Sequence, residues 1–364
     1  MADQLKNMYN KEYLEKLAAN ISAVYSPFPG EKFVSSIMDE TWDKLELKGR
    51  MRQITQNLGK FLPQNYPAAI AVINEAIKPY TNWLDGFCLY FQDFVELYGQ
   101  DEDNWDISIK AIETYTRYAS GEFAVRPFII NHEERMMAQM RAWSTSDSPH
   151  VRRLASEGCR PALPWAQALP KFKKDPTPIL PILQQLKNDS DLYVRKSVAN
   201  NLNDISKTHP QLVVEIARDW YGKNPNTDWI VKHACRTLLK KGNRDALLLF
   251  GFGDEKSIEI SNFAIGETTV KIGEELAFSF EISTAEPTKV RLEYAIDFMK
   301  ANGKQSKKMF QISESEFSAG EKRAYVKKQS FADLSTRKHY PGAHAITLFA
   351  NGTERGAIEF MVVK

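Results

Sequence analysis

The stretch "VRKSVANNLNDI", Val194–Ile205, decides the reading of the first two thirds of the chain. At 100° per residue, Val194, Val198, Leu202 and Ile205 fall on one stripe of a helix and belong in a core. Lys196, Asn200, Asn203 and Lys207 fall opposite, with Asp204 at their edge. An earlier stretch, "VRRLASEGCRPALPW", Val151–Trp165, opens the same way, and "WIVKHACRTLLKKG" from Trp229 is a third copy. The leading valines stand at 151, 194 and 231, so the intervals are 43 and 37 residues. In the first copy Arg153 and Glu157 take the places of Lys196 and Asn200, and in the third His233 and Thr237 do. A mostly basic face with carboxylates set into it therefore recurs.

Each copy follows another stretch of helical periodicity: "HEERMMAQMRAW", "PILPILQQL" and "QLVVEIARDWY". Helix pairs at this interval have the period of HEAT-like repeats, which stack into an α-solenoid with a concave face. A weaker copy, "GRMRQITQNLGKFLP", lies near Arg50. After Gly253 the period changes from helix to strand. "EELAFSFEIS" alternates Leu276, Phe278, Phe280 and Ile282 with Ala277, Ser279 and Glu281; "KVRLEYAIDF" alternates Val290, Leu292, Tyr294 and Ile296. "GAHAITLFANGTERGAIEFMVVK" reads as a hairpin closed by Asn351-Gly352. About seven short strands are expected, as in a β-sandwich. The expected domains are a HEAT-like α-solenoid over 1–254 and the sandwich over 255–364.

The 364 residues carry a net charge of only +2. Residues 1–150 hold 15 Lys and Arg against 21 Asp and Glu, residues 151–256 hold 18 against 11, and the remainder 15 against 14. A basic middle segment points to a polyanion, most simply nucleic acid; an ordinary solvated surface is the other reading of the same counts. Cys88, Cys159 and Cys235 form no CxxC pair, and no cluster of ligands has zinc spacing. No structural zinc site is expected. Cys159 has no His or Asn at a spacing that would make it a nucleophile. The first residues show no apolar stretch like a signal peptide, and no apolar run is long enough for a membrane span. A cytoplasmic, monomeric protein is expected. "KQSKK" (304–308) and "KRAYVKK" (322–328) give the sandwich basic edges.

Lysines and arginines neutralise phosphates, whereas acids in the same groove repel them. One reason to keep the acids is to stabilise a cation. Breaking a deoxyribose–base bond passes through an oxocarbenium-like sugar, which a carboxylate stabilises while it orients water. Trp faces attract a cationic base. Glu157, Asp204, Trp165 and Trp229 supply these groups.

The stretches "VRRLASEGCRPALPW", "VRKSVANNLNDISKTHP" and "WIVKHACRTLLKKG" resemble those of the AlkC-type DNA alkylation repair glycosylases of the HEAT-like repeat superfamily, along the whole chain. The resemblance implies hydrolysis of the N-glycosidic bond of cationic lesions, such as N3-methyladenine and N3-methylcytosine, in duplex DNA, with no metal and no nucleotide cofactor. It also implies a C-terminal Ig-like domain, and a base that is not extruded into a deep pocket. It assigns catalytic roles to Glu157, Asp204, Trp165 and Glu122 (in "SGEFAVRPF"). It assigns DNA contacts to Arg152, Arg153, Arg160, Arg195, Lys196, Asn200, Asn203, Lys207, Trp229, Lys232 and His233. Ala162 stands where the family pattern has an arginine, and Lys196 and Lys232 also replace arginines, keeping charge but losing the bidentate fork. Two other readings stay open: a non-catalytic nucleic-acid-binding HEAT protein whose sandwich recruits a partner, and a protein-binding scaffold.

Overall fold

The computed structural model describes residues 5–80, 87–253, 256–334 and 337–364. Helices α1 (Lys11–Val24), α2 (Gly30–Ile37), α3 (Leu47–Phe61), α4 (Tyr66–Ala76), α5 (Leu89–Tyr98), α6 (Trp105–Thr116) and α7 (Val125–Asn131) come first. They are followed by α8 (Glu133–Trp143), α9 (Pro149–Glu157), α10 (Pro170–Lys174), α11 (Leu180–Leu186), α12 (Leu192–Ile205), α13 (Pro210–Trp220) and α14 (Pro225–Ala234). Two short helices, α15 (Arg236–Lys240) and α16 (Arg244–Leu249), precede the strands.

The repeat pattern is realised as helix pairs: α8 packs on α9, α11 on α12, and the second helices α9, α12 and α14 stack on one another. The valine stripe drives this. Val194, Val198, Leu202 and Ile205 are all buried, as are Val151, Leu154 and Ala155 of α9, and each large apolar side chain so placed contributes roughly 1.5–3 kcal/mol. Between α9 and α12 the contact is polar. The Ser156 and Ser197 hydroxyls are 2.8 Å apart, and Asn201 Nδ2 donates to Ser156 O at 2.8 Å. The α12 start is capped by Asp191, whose side chain accepts from Tyr193 N. Ser148 stands at the α9 N-cap without a side-chain bond; there Arg152 Nη1 donates to the carbonyls of Ser146 and Asp147 instead. The weaker copy near Arg50 is α3, which packs on α5. The third copy departs from the expected register. Its helix stops at Ala234, and Thr237 falls in the next helix, α15, not in the one that carries His233.

The strands are β1 (Ile258–Ile265), β2 (Thr269–Lys271), β3 (Glu275–Thr284), β4 (Thr288–Met299), β5 (Gln305–Phe317), β6 (Lys322–Ser330), β7 (Gly342–Ala350) and β8 (Thr353–Val363). They form a sheet β1-β3-β6 and a sheet β2-β8-β7-β4-β5. The β3 alternation places Leu276, Phe278, Phe280 and Ile282 in a core shared with Val290, Leu292, Tyr294 and Ile296 of β4. Asn351 and Gly352 have φ of 50° and 78°, the left-handed pair that a two-residue type I′ hairpin requires. Asn351 also ties the corner to β4: Arg291 N donates to its Oδ1 at 2.8 Å, and its Nδ2 donates to Lys289 O at 3.0 Å. β2 is the strand the pattern did not announce; three residues paired parallel to β8 are too short to alternate legibly. On β4 the intervening residues are buried too, because Arg291, 3% exposed, pairs with Glu293 at 2.6 Å and with Glu314.

The chain divides into two compact units, Met1–His209 with Trp220–Ala234, and Pro210–Asp219 with Cys235–Lys364. The change from helix to strand falls between Leu249 and Ile258. The second unit thus takes in most of α13 as well as α15 and α16, which precede the strands. No helix among the described residues is long and apolar enough to cross a membrane.

Candidate active site

The C-terminal end of α9 sets the site. Glu157 is its last residue, and Gly158 follows where a Cβ would stand 2.6 Å from Val125 Cγ2 and 2.8 Å from Met140 Cε. Only glycine allows so close an approach to α7 and α8. The loop beyond is clamped by Arg126 of α7, which is 1% exposed. Its Nη1 donates to Gly158 O at 3.0 Å and Arg160 O at 3.1 Å, and its Nε donates to Gln167 O. Burial pulls the Arg126 guanidinium down to about 10, and it remains charged at neutral pH.

Six charged groups then alternate in sign across the unit. Arg153 pairs with Glu122 and, through Nη2, with Glu157 Oε1 at 3.2 Å. Arg160 Nη1 donates to the same Glu157 oxygen at 2.7 Å, and its Nε and Nη2 both reach Asp204 Oδ2 at 2.9 Å. Lys207 Nζ completes the series on Asp204 Oδ1 at 2.8 Å. Ser120 Oγ donates to Glu122 at 2.6 Å. Glu157 and Asp204 are each only 5% exposed. Ionised groups so far from water persist only when paired and hydrogen-bonded. Burial alone would lower Arg153 and Arg160; the neighbouring carboxylates outweigh it and raise both, Glu122 and Glu157 at Arg153 and Glu157 and Asp204 at Arg160. The Tyr193 ring lies 4.8 Å from the Arg153 guanidinium, a cation–π contact.

Trp165 stands on the loop after Arg160, 71% exposed. Its φ is 63°, left-handed for a bulky residue and a cost of roughly 1–2 kcal/mol. Lys48 of α3 holds it there, donating from Nζ to Trp165 O at 2.8 Å while lying 4.6 Å over Phe123. Beside it is a cleft of about 170 Å³, walled by apolar side chains such as Leu47, Met51 and Phe123 and reaching Glu122 and Arg153 at its polar end. Backbone strain that presents an indole beside the half-buried Glu122 carboxylate is the kind of stored strain that marks functional sites.

The structure brings Glu122, Arg153, Glu157, Arg160, Asp204 and Lys207 into one network and sets Trp165 beside its Glu122 end. It does not leave every expected DNA contact on the surface. Arg160 is 7% exposed, its guanidinium enclosed between two carboxylates. Arg152 makes a bidentate pair with Asp189, Nε–Oδ2 2.6 Å and Nη2–Oδ1 3.1 Å. Arg195 donates to the carbonyls of Asp189 and Ser190. These two arginines fasten the turn before α12. Asn203 is buried rather than facing solvent, 4% exposed. Lys196, Lys207 and Lys232 are exposed and Asn200 is half-buried. Trp229 is 36% exposed and stacks on His233, centroids 5.1 Å apart at 10°. Lys48, Arg126 and Tyr193 escape a sequence reading. Lys48 lies 117 positions from its partner. Arg126 alone left a signal, an arginine inside the apolar run "FAVRPFII". Among the described residues no group of His, Cys, Asp or Glu could hold a metal ion. Cys159 is buried, its thiol pushed up to about 12 by burial, and donates to Ala155 O at 3.2 Å.

Residues 90–246 match the family model described as a DNA alkylation repair enzyme. Residues 259–364 match the C-terminal Ig-like domain of the uncharacterised protein YhaZ. Over 362 residues the chain is 47% identical to the uncharacterized protein YhaZ of Bacillus subtilis (strain 168), covering all of both chains. Its fold superposes with a TM-score of 0.94 on the Pseudomonas fluorescens alkylpurine DNA glycosylase AlkC bound to DNA containing an abasic site analog, at 35% identity and full coverage of both.

The bridging role of Arg160 is testable. Arg160→Ala leaves two buried carboxylates without their shared partner and is expected to cost about 3–5 kcal/mol in urea unfolding. Arg160→Lys, which keeps the charge but not the fork, falls between. An Arg160→Ala protein as stable as the parent contradicts the bridge.

Proposed function

Because this chain belongs to the AlkC-type DNA alkylation repair glycosylases, we propose that its reaction is hydrolysis of the N-glycosidic bond of cationic alkylated bases, such as N3-methyladenine and N3-methylcytosine, in duplex DNA. The observation that carries this reading is the pair of buried carboxylates, Glu157 and Asp204, held on one guanidinium in a network whose Glu122 end lines a cleft with an exposed tryptophan. An alkylated base that is already cationic leaves as a neutral molecule, taking the C1′–N electron pair, and needs no general acid. The sugar is left with oxocarbenium character, which fixed carboxylates stabilise without reorganisation. Both arginine bonds to Glu157 fall on Oε1, so Oε2 is the oxygen assigned to the sugar or to the attacking water. Water adds to C1′ and gives its proton to a carboxylate, yielding the abasic site and the free base. Trp165 offers its face to the cation, an attraction worth about 0.5–2 kcal/mol, and Glu122 supports the same end of the network.

Lys196, Lys207 and Lys232, with Asn200, Trp229 and His233, are the groups proposed to meet the DNA backbone. Arg152, Arg195 and Asn203 are assigned to the scaffold, and Arg153 and Arg160 to the carboxylates. The non-catalytic alternative differs in what the acids are for. A binder gains from losing them, whereas a glycosylase stops.

Asp204→Asn preserves shape and one acceptor oxygen. It is expected to lower single-turnover base release from N3-methyladenine duplex by about 10²–10³-fold, while abasic duplex is bound as well or better. Near-normal release contradicts the mechanism. Binding of abasic duplex is also expected to weaken linearly in log K against log salt, by about 0.9 per neutralised phosphate. Lys196→Ala and Lys232→Ala are each expected to reduce that slope by about one, and an unchanged slope removes these lysines from the contact.

A further inference from the structure

One basic motif of the sandwich, "KQSKK", plays no part in the chemistry above. It opens β5, and there it lines a cleft of about 500 Å³ between the end of β4, the start of β5 and the segment before β7. The cations on its walls are Lys300, Lys307, Lys308, Arg337 and Lys338, with the His339 ring among them. Among the described residues no carboxylate lines it. Two acids adjoining the lining residues are engaged: Asp297 with Lys307 at 3.8 Å, and Asp333, whose Oδ1 accepts from His339 N at 2.8 Å.

A second observation concerns the deepest of these groups. His339 is 6% exposed, its ring packed between Phe298 and Phe331, with centroids 5.4 and 5.1 Å away. Its Nε2 is buried without a hydrogen-bond partner, as is Arg337 Nε on the other side of Lys338. Buried polar nitrogens are normally satisfied, and one left open costs about 1–3 kcal/mol. Of the two in this cation-lined cleft, Arg337 Nε–H is always a donor, and His339 Nε2 is one in its Nε2–H tautomer or when protonated, so both can meet an acceptor from outside the chain. The charged heads of Lys308 and Arg337 lie over the Phe310 and Phe298 rings, 5.3 and 5.1 Å from the centroids, cation–π contacts on the wall of the cleft.

We propose that this cleft is a binding site for a compact dianionic phosphate, either free phosphate or the phosphomonoester of a nucleotide. Its concave wall of cations suits a group with two charges and several acceptor oxygens, whereas a nucleic-acid backbone presents single charges along an extended line. The site lies wholly within the sandwich and does not depend on the glycosylase reading.

The test uses the full chain with ring-labelled histidine, whose His339 signal is assigned by His339→Gln. Inorganic phosphate, deoxyadenosine 5′-monophosphate and a duplex without terminal phosphates are titrated at constant ionic strength, with chloride as the balancing anion. Saturable shifts of the His339 signal by the first two, weakened about tenfold or more in Lys308→Gln/Lys338→Gln, are expected. Both lysines are exposed, so the double variant keeps the fold, and an unchanged His339 signal in its ligand-free spectrum verifies that. Saturation by phosphate but not by the nucleotide, or the reverse, supports the site and names its source. No shift with either at millimolar concentration overturns it. So does a response to the duplex alone, or an affinity that the double variant leaves intact.

Discussion

The Arg160 guanidinium is the constraint on which the helical unit turns. It joins the end of α9 to the last turn of α12 through Glu157 and Asp204, neither of which has water to fall back on. Removing a carboxylate from water costs several kcal/mol, and the guanidinium offsets this only through close, charge-assisted hydrogen bonds. The distances of 2.7 Å to Glu157 and 2.9 Å to Asp204 meet that condition. They hold only while α9 and α12 keep one spacing and one rotation.

Much of the surrounding structure maintains that spacing. Ser156 and Ser197 meet hydroxyl to hydroxyl, and Asn201 bonds back to the α9 carbonyl, so the helices approach through small and polar groups. Gly158 lets α9 end against α7 and α8. Arg126 then fixes the loop that carries Arg160 and Trp165. An apolar core of the same volume would hold these helices together as well or better. The array is therefore poorly explained as a source of stability, and well explained by chemistry that needs fixed anions beside an exposed aromatic.

The period of the valines and the strand alternation made the helix pairs and the sandwich legible, because burial of one face writes itself into spacing. Glu157, Asp204, Glu122 and Trp165 were legible through motif resemblance, and the structure draws the three acids into one network with Trp165 beside Glu122. The partners of the arginines were not legible. Arg152, Arg160 and Arg195, expected from the resemblance to contact DNA, each turn to a partner within the protein: Asp189, Glu157 with Asp204, and the carbonyls of the turn before α12. A long side chain chooses its partner from several ångströms around its Cα, and a motif records only the residue type. Lys48 was illegible for another reason. Its partner, Trp165 O, is remote in sequence and is a backbone atom, which leaves no residue-type signal at all.

The account rests on attraction to a leaving base that already carries positive charge, with no group assigned to protonate a neutral one. The most direct measurement is release of free base by the unmodified protein from two otherwise identical duplexes, one bearing N3-methyladenine and one bearing uracil. The account predicts that 3-methyladenine is freed and that uracil stays in place over the same time. Efficient release of uracil, or failure to free the cationic base under conditions where the duplex is bound, would contradict it.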